Sequence, residues 1–191
     1  MSRKEKIEQQ LKELEQLREQ MNQLFYYAEE EQLLIKEDKP NGWNTLEIVY
    51  HINLVNAPYL KQIEALKSKA PKAPANSAPR STFLGRYMLK SFRLAPEGEK
   101  KGMKWKSPAS VDPIKQNEKG FKPVTNVVFR QLVQDLDQIE TYLNEAQELA
   151  LEKLKIKTLI PWLKINAFDA LQIMVVHGQR HFQQAKSINA G

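Results

Sequence analysis

Ile7, Leu11, Leu14, Leu17, Met21, Leu24, Phe25 and Ala28 recur every three or four positions with Glu, Lys and Gln between them. A chain patterned in this way can gather its apolar groups on one side only by coiling into a helix; in a strand the same side chains would scatter over both faces. The spacing predicts a first helix over roughly residues 3–31. Pro40-Asn41-Gly42 then forms a turn, and Asn44 with Glu47 three positions later has the form of a capping box. The helix it opens carries the stripe Ile48, Val55, Tyr59, Ile63 and Leu66, with a bend expected at Pro58, whose ring removes a donor and crowds the carbonyl of Leu54. Pro123 and Thr125 open a third helix with Val128, Leu132, Leu136, Ile139, Leu143 and Ala146 inward, ending near Glu152. Pro161 interrupts the chain again, and Asn166 with Asp169 marks a fourth helix reaching about Ser187. No strand-like alternation of any length competes, and neither an internal repeat nor a Gly-rich phosphate loop is present. The expected architecture is all-α, an antiparallel four-helix bundle forming one domain over residues 1–191. A coiled coil is disfavoured because the heptad-like spacing of the first helix lapses in the later ones.

The charge is uneven. Residues 67–122, between the second and third helices, hold 14 Lys and Arg against 4 Asp and Glu, so the whole net charge of +6 and more belongs to this segment. Six of the ten prolines and four of the seven glycines also fall there, which marks a long basic connection. Leu84, Tyr87, Met88 and Phe92 predict a short helix of its own near 83–93, flanked by Arg86, Lys90 and Arg93. The segment either covers the mouth of the bundle and attracts an anionic substrate, or it is a solvated surface loop. The second reading suits most of its lysines, Lys100, Lys101, Lys104 and Lys106 among them, while Tyr87, Met88, Phe92 and Trp105 anchor it to the bundle. No turn-linked pair of short helices and no aromatic sheet motif accompanies the cations, so no nucleic-acid partner is expected. No apolar run approaches the length needed to span a bilayer, so no membrane partner is expected either. The charged N-terminal residues differ from an export signal and suggest the cytoplasm.

There are no cysteines, so a metal would need imidazole or carboxylate ligands. There are three histidines. His177 and His181 stand four residues apart on the fourth helix, one above the other, and Ala170, Ile173 and Met174 place them on its inward face. His51 falls among Ile48, Val55 and Tyr59 on the second helix and also faces inward. Three imidazoles meeting there would leave coordination positions open, as in catalytic metal sites. The alternative is three core histidines, each hydrogen-bonded to a neighbouring oxygen. Glu47, one turn before His51, and Gln184, three residues after His181, are candidates to hold the second ring nitrogens, or else a capping residue and a solvated side chain. Gly178 between the two histidines makes room either for something close to the site or for a tightly packed helix.

Trp43-Asn-Thr-Leu-Glu-Ile-Val-Tyr-His51 and His177-Gly-Gln-Arg-His181-Phe-Gln-Gln resemble the opening and closing signatures of the DinB-like (DinB/YfiT-like) family. Lys104-Trp-Lys-Ser-Pro-Ala-Ser-Val-Asp-Pro is similar to a stretch found in one branch of it. The resemblance implies the DinB/YfiT-like bundle, a divalent metal on His51, His177 and His181, and frequent homodimers. It also implies chemistry of the thiol S-transferase, isomerase or metal-dependent hydrolase type on a small molecule. The common His-Glu-Arg-Arg-His form is altered at Gly178 and Gln179, so no carboxylate stands at that point. Zinc or nickel would suit such ligands, lowering the pKa of a bound water or of an external low-molecular-weight thiol such as bacillithiol or mycothiol. The competing expectation is a non-catalytic DinB-like bundle that binds or scaffolds.

Overall fold

Ser2 opens the first helix with a capping box: its hydroxyl accepts from the Glu5 N–H at 3.2 Å, and the Glu5 carboxylate accepts from the Ser2 N–H at 2.6 Å. The computed structural model describes residues 1–74, 77–93, 107–160 and 162–189. Helix α1 covers Arg3–Tyr27, after which Ala28 turns extended and a separate short helix, α2, covers Glu30–Leu33. The single helix expected to residue 31 is therefore interrupted, and the Gln32 carboxamide, accepting from the Glu29 N–H at 3.3 Å, restarts it.

Helix α3 covers Thr45–Leu66 and passes Pro58 without a break. Its expected cap is present, with Asn44 Oδ1 accepting from the Glu47 N–H at 2.7 Å and Glu47 Oε2 accepting from the Asn44 N–H at 3.0 Å. The long connection is more structured than its composition suggests. It contains the expected short helix, α4, over Phe83–Phe92, and a further one, α5, over Pro113–Glu118. Helix α5 starts on Asp112, whose Oδ1 accepts from the Ile114 N–H at 3.0 Å, with Pro113 in the first turn where its missing donor costs nothing.

Helix α6 covers Thr125–Glu145 and stops a turn or two before the expected Glu152. The reason lies in the connection: Ala73 donates to the Glu148 carbonyl at 2.7 Å and Ala150 to the Pro71 carbonyl at 2.8 Å, so residues 148–150 pair as an extended bridge instead of prolonging the helix. Two three-residue strands, β1 (Lys155–Lys157) and β2 (Lys164–Asn166), then form an antiparallel ribbon with Ile156 opposite Ile165, both buried. Three residues are too few for alternation to be read from sequence. The breaker expected at Pro161 lies outside the described residues. Helix α7 covers Ala167–Asn189, opened as expected by Asn166, whose Oδ1 accepts from the Asp169 N–H at 2.6 Å.

The chain is thus predominantly helical with one small ribbon. Helix α3 packs against α6 and α7, α1 packs against the same two, and α4 lies on α7. The stripes read from sequence meet in the middle, where Ile7, Leu14 and Leu17 join Ile48, Ile52, Ile63, Leu132, Ile139 and Leu143. Asp135 of α6 is a buried exception, its Oδ1 accepting from the Gln131 amide at 2.8 Å. Burial pushes its carboxyl up from 3.8 to about 6. The folded protein therefore holds the neutral acid more readily than the unfolded chain does, a contribution present below pH 4 and lost as pH rises through 6. Asp135→Asn is expected to gain on the wild type by about 2 kcal/mol between pH 4 and pH 7.5, measured as the difference in urea unfolding free energy. A pH-independent difference would refute this.

A candidate metal centre of three imidazoles

His51 lies two turns into α3, and His177 and His181 lie at and just past the middle of α7, the helix packed against it. Their side chains converge, with ring centroids 4.4, 4.8 and 5.2 Å apart and one nitrogen from each within 4.8 Å of the others. His51 and His177 are buried and His181 is partly so. Trp43 stacks at a tilt on His51 at 4.8 Å, and Phe92 of α4 meets His177 edge-on at 5.4 Å. The two aromatic walls keep the rings from turning.

Hydrogen bonds fix the protons. His51 Nδ1 lies 2.6 Å from the Val111 carbonyl, which can only accept, so Nδ1 carries the hydrogen and Nε2 carries a lone pair. Gln184 donates its Nε2 to the Glu37 carboxylate at 3.0 Å, which turns its Oε1 toward His181 Nδ1 at 2.9 Å. His181 is therefore also a donor at Nδ1 and a lone pair at Nε2. Both lone pairs point at His177 Nε2, at 3.4 Å from His51 and 3.1 Å from His181. One proton on that nitrogen can satisfy only one of them well, and His177 Nδ1 is itself buried without a hydrogen-bond partner. A set of inward lone pairs with orphaned polar atoms in an aromatic shell fits a divalent cation, which three such imidazoles could hold. Burial, with the neighbouring rings and Arg180 adding to it, holds His177 well below the usual imidazole range. Burial likewise takes His181 down to about 3 and lowers His51, so all three are in the neutral, ligating form at pH 7.

The two candidates for outer support divide. Gln184 holds His181 as expected. Glu47 does not touch His51; it caps α3 and accepts from Asn117 Nδ2 of α5 at 3.1 Å. That bond ties down the helix just after Val111, whose carbonyl is the true partner of His51. A main-chain oxygen 60 residues away leaves no mark in sequence, which is why it was missed. Gly178 serves packing: a Cβ there would meet Leu17 Cδ2 of α1 at 2.6 Å.

A cavity of about 150 Å³ opens beside the imidazoles, with Met88 and Phe92 of α4 on its wall. The basic connection thus does cover the site, but through its apolar face, while Arg86, Lys90 and Arg93 point to solvent. Tyr87, expected as an anchor, is 43% exposed because α4 turns Met88 and Leu89 inward instead. Trp105, Lys100, Lys101, Lys104 and Lys106 lie outside the described residues. Among the described residues no helix is long and apolar enough to cross a membrane. No curated protein and no solved structure shows significant similarity to the chain. The family model described as the DinB superfamily does match, over residues 13–185, a span that includes all three histidines and most of every long helix, and the chain belongs to that superfamily.

Proposed function

We propose that the protein is a metal-dependent enzyme of the thiol S-transferase or hydrolase type, with a divalent ion, zinc or nickel, on His51, His177 and His181. The observation that carries this reading is the tautomer pattern: Nδ1–H of His51 and of His181 is committed to an oxygen, and both Nε2 lone pairs face His177. Histidines kept only for packing would pair those nitrogens with donors. The ion supplies a Lewis acid that acidifies a water molecule or an external thiol. With no cysteine in the chain, any thiol arrives as a cosubstrate. The Val111 carbonyl and Gln184 orient the imidazoles, Trp43 and Phe92 keep bulk water from them, and the apolar cavity wall seats the organic part of a small-molecule substrate.

The same reading takes the chain as one domain over residues 1–191, an antiparallel four-helix bundle of the DinB/YfiT kind that pairs as a homodimer in the cytoplasm and acts on neither nucleic acid nor membrane. Superfamily membership and the mutual packing of α1, α3, α6 and α7 support it. Metal analysis of protein purified without a histidine tag tests the central claim, with about one ion per chain expected. Added bacillithiol-type thiol should then raise the melting temperature of the zinc- or nickel-loaded protein selectively if the transferase branch is right. Protein that never acquires an ion, even from excess zinc or nickel, would instead be the non-catalytic bundle.

A further inference from the structure

Arg180 stands apart from the other partly or fully buried arginines. Arg3 pairs with Glu152 at 2.5 Å, and Arg18 pairs with Asp137 and Glu140 at 2.5 and 2.7 Å. Arg180 donates Nη1 to the Ser91 carbonyl at 3.3 Å, and among the described residues no carboxylate pairs with it. A guanidinium carries five donors and keeps its charge at any physiological pH, so most of its bonding capacity is left over. It lines the same 150 Å³ cavity as His51, His177 and His181. No Asp or Glu lines that cavity among the described residues. Its remaining wall is largely apolar, made by Val55, Met88, Phe92, Leu159, Ile160 and Ile173.

The volume sets the size of the guest, because a cavity of about this size accepts a benzene-sized molecule. The charge sets its sign: a fixed cation with no counter-ion among the described residues, in a wall of low polarity, disfavours an ammonium and favours a carboxylate in bidentate contact. We infer that the cavity binds a small amphiphilic anion, a benzene-sized apolar group bearing a carboxylate, with Arg180 as the residue that selects the carboxylate. The inference rests on the proposed metal site for its role in turnover, but the selecting residue belongs to this chain alone. Arg180 is thus a specificity-determining residue.

Calorimetric titration of the full chain with phenylacetate and its neutral isostere phenylacetamide tests this, with metal-free and zinc-loaded protein run side by side. Phenylacetate is expected to bind at least about tenfold more tightly than phenylacetamide in both forms, the value of one charge-assisted contact. In the metal-free protein Arg180→Gln should erase that preference, and Arg180→Lys should retain part of it, which separates lost charge from lost fold. Equal binding of the two probes, no binding of phenylacetate, or a preference that survives Arg180→Gln in the metal-free protein would each overturn the anion site. A protein that takes up no zinc but still prefers phenylacetate, with the preference lost in Arg180→Gln, would uphold the anion site and refute the metal reading.

Discussion

His177→Ala is expected to remove measurable zinc binding while leaving the metal-free protein folded. His177 Nε2 is the meeting point of the site, 3.4 Å from His51 Nε2 and 3.1 Å from His181 Nε2, and no other imidazole is available among the described residues. Loss of an outer partner of a metal ligand typically weakens affinity by about 10- to 100-fold, and loss of one ligand of three should exceed that. At a zinc concentration about 100 times the wild-type dissociation constant, the wild type gains about 2.7 kcal/mol from binding, and the variant should gain almost none. The cost to the metal-free protein is smaller, about 1–2 kcal/mol for the space left behind and for the one imidazole lone pair that loses its donor, because His177 Nδ1 itself has no partner to orphan. Equilibrium dialysis with zinc and urea unfolding in the presence of a chelator measure the two effects separately. Undiminished zinc uptake by the variant would sink the triad.

Gly85→Ala is expected to be strongly destabilising for a change of one methyl group. A Cβ at Gly85 of α4 would lie 2.1 Å from Oδ2 and 2.3 Å from Cγ of Asp169, a fully buried residue in the first turn of α7. That carboxylate cannot step aside, because its Oδ2 accepts from both the backbone N–H and the hydroxyl of Thr82, each at 2.8 Å. The Thr82 hydroxyl in turn accepts from the Gly85 N–H at 2.8 Å and so caps α4. One methyl group therefore collides with the buried charge that holds the cap of its own helix. Displacing the carboxylate would cost about 3 kcal/mol through the loss of charge-assisted hydrogen bonds, on top of the steric term. For a chain of this length that is roughly a 10 °C fall in melting temperature. Because α4 supplies Met88 and Phe92 to the cavity wall, amide exchange in α4 should also accelerate and the cavity should lose its guest. A variant within about 0.5 kcal/mol of the wild type, with α4 still protected, would show that the contact is not what docks this helix.

Several parts of the architecture are local and could be read directly. The capping pairs Asn44 with Glu47 and Asn166 with its third neighbour act within one helical turn, so residue type and spacing carry the whole interaction. The inward positions of His51, His177 and His181 follow equally from periodicity. Other parts depended on distant segments. The premature end of α6 comes from pairing with residues 71–73, and the break after Tyr27 from a competing restart at Glu29. The role of Gly178 was open until α1 was seen to lie against it.

Periodicity and residue type determined that this chain makes long amphipathic helices and turns three imidazoles away from water, because both depend on the regular repeat of one helix. Only the tertiary structure decided that those imidazoles share one point, that the protons of His51 and His181 face outward to Val111 and Gln184, and that Arg180, with no carboxylate partner among the described residues, borders the cavity beside them. These are relations between segments up to 126 residues apart, one of them through a main-chain oxygen common to every residue, and such relations exist only once the helices have packed.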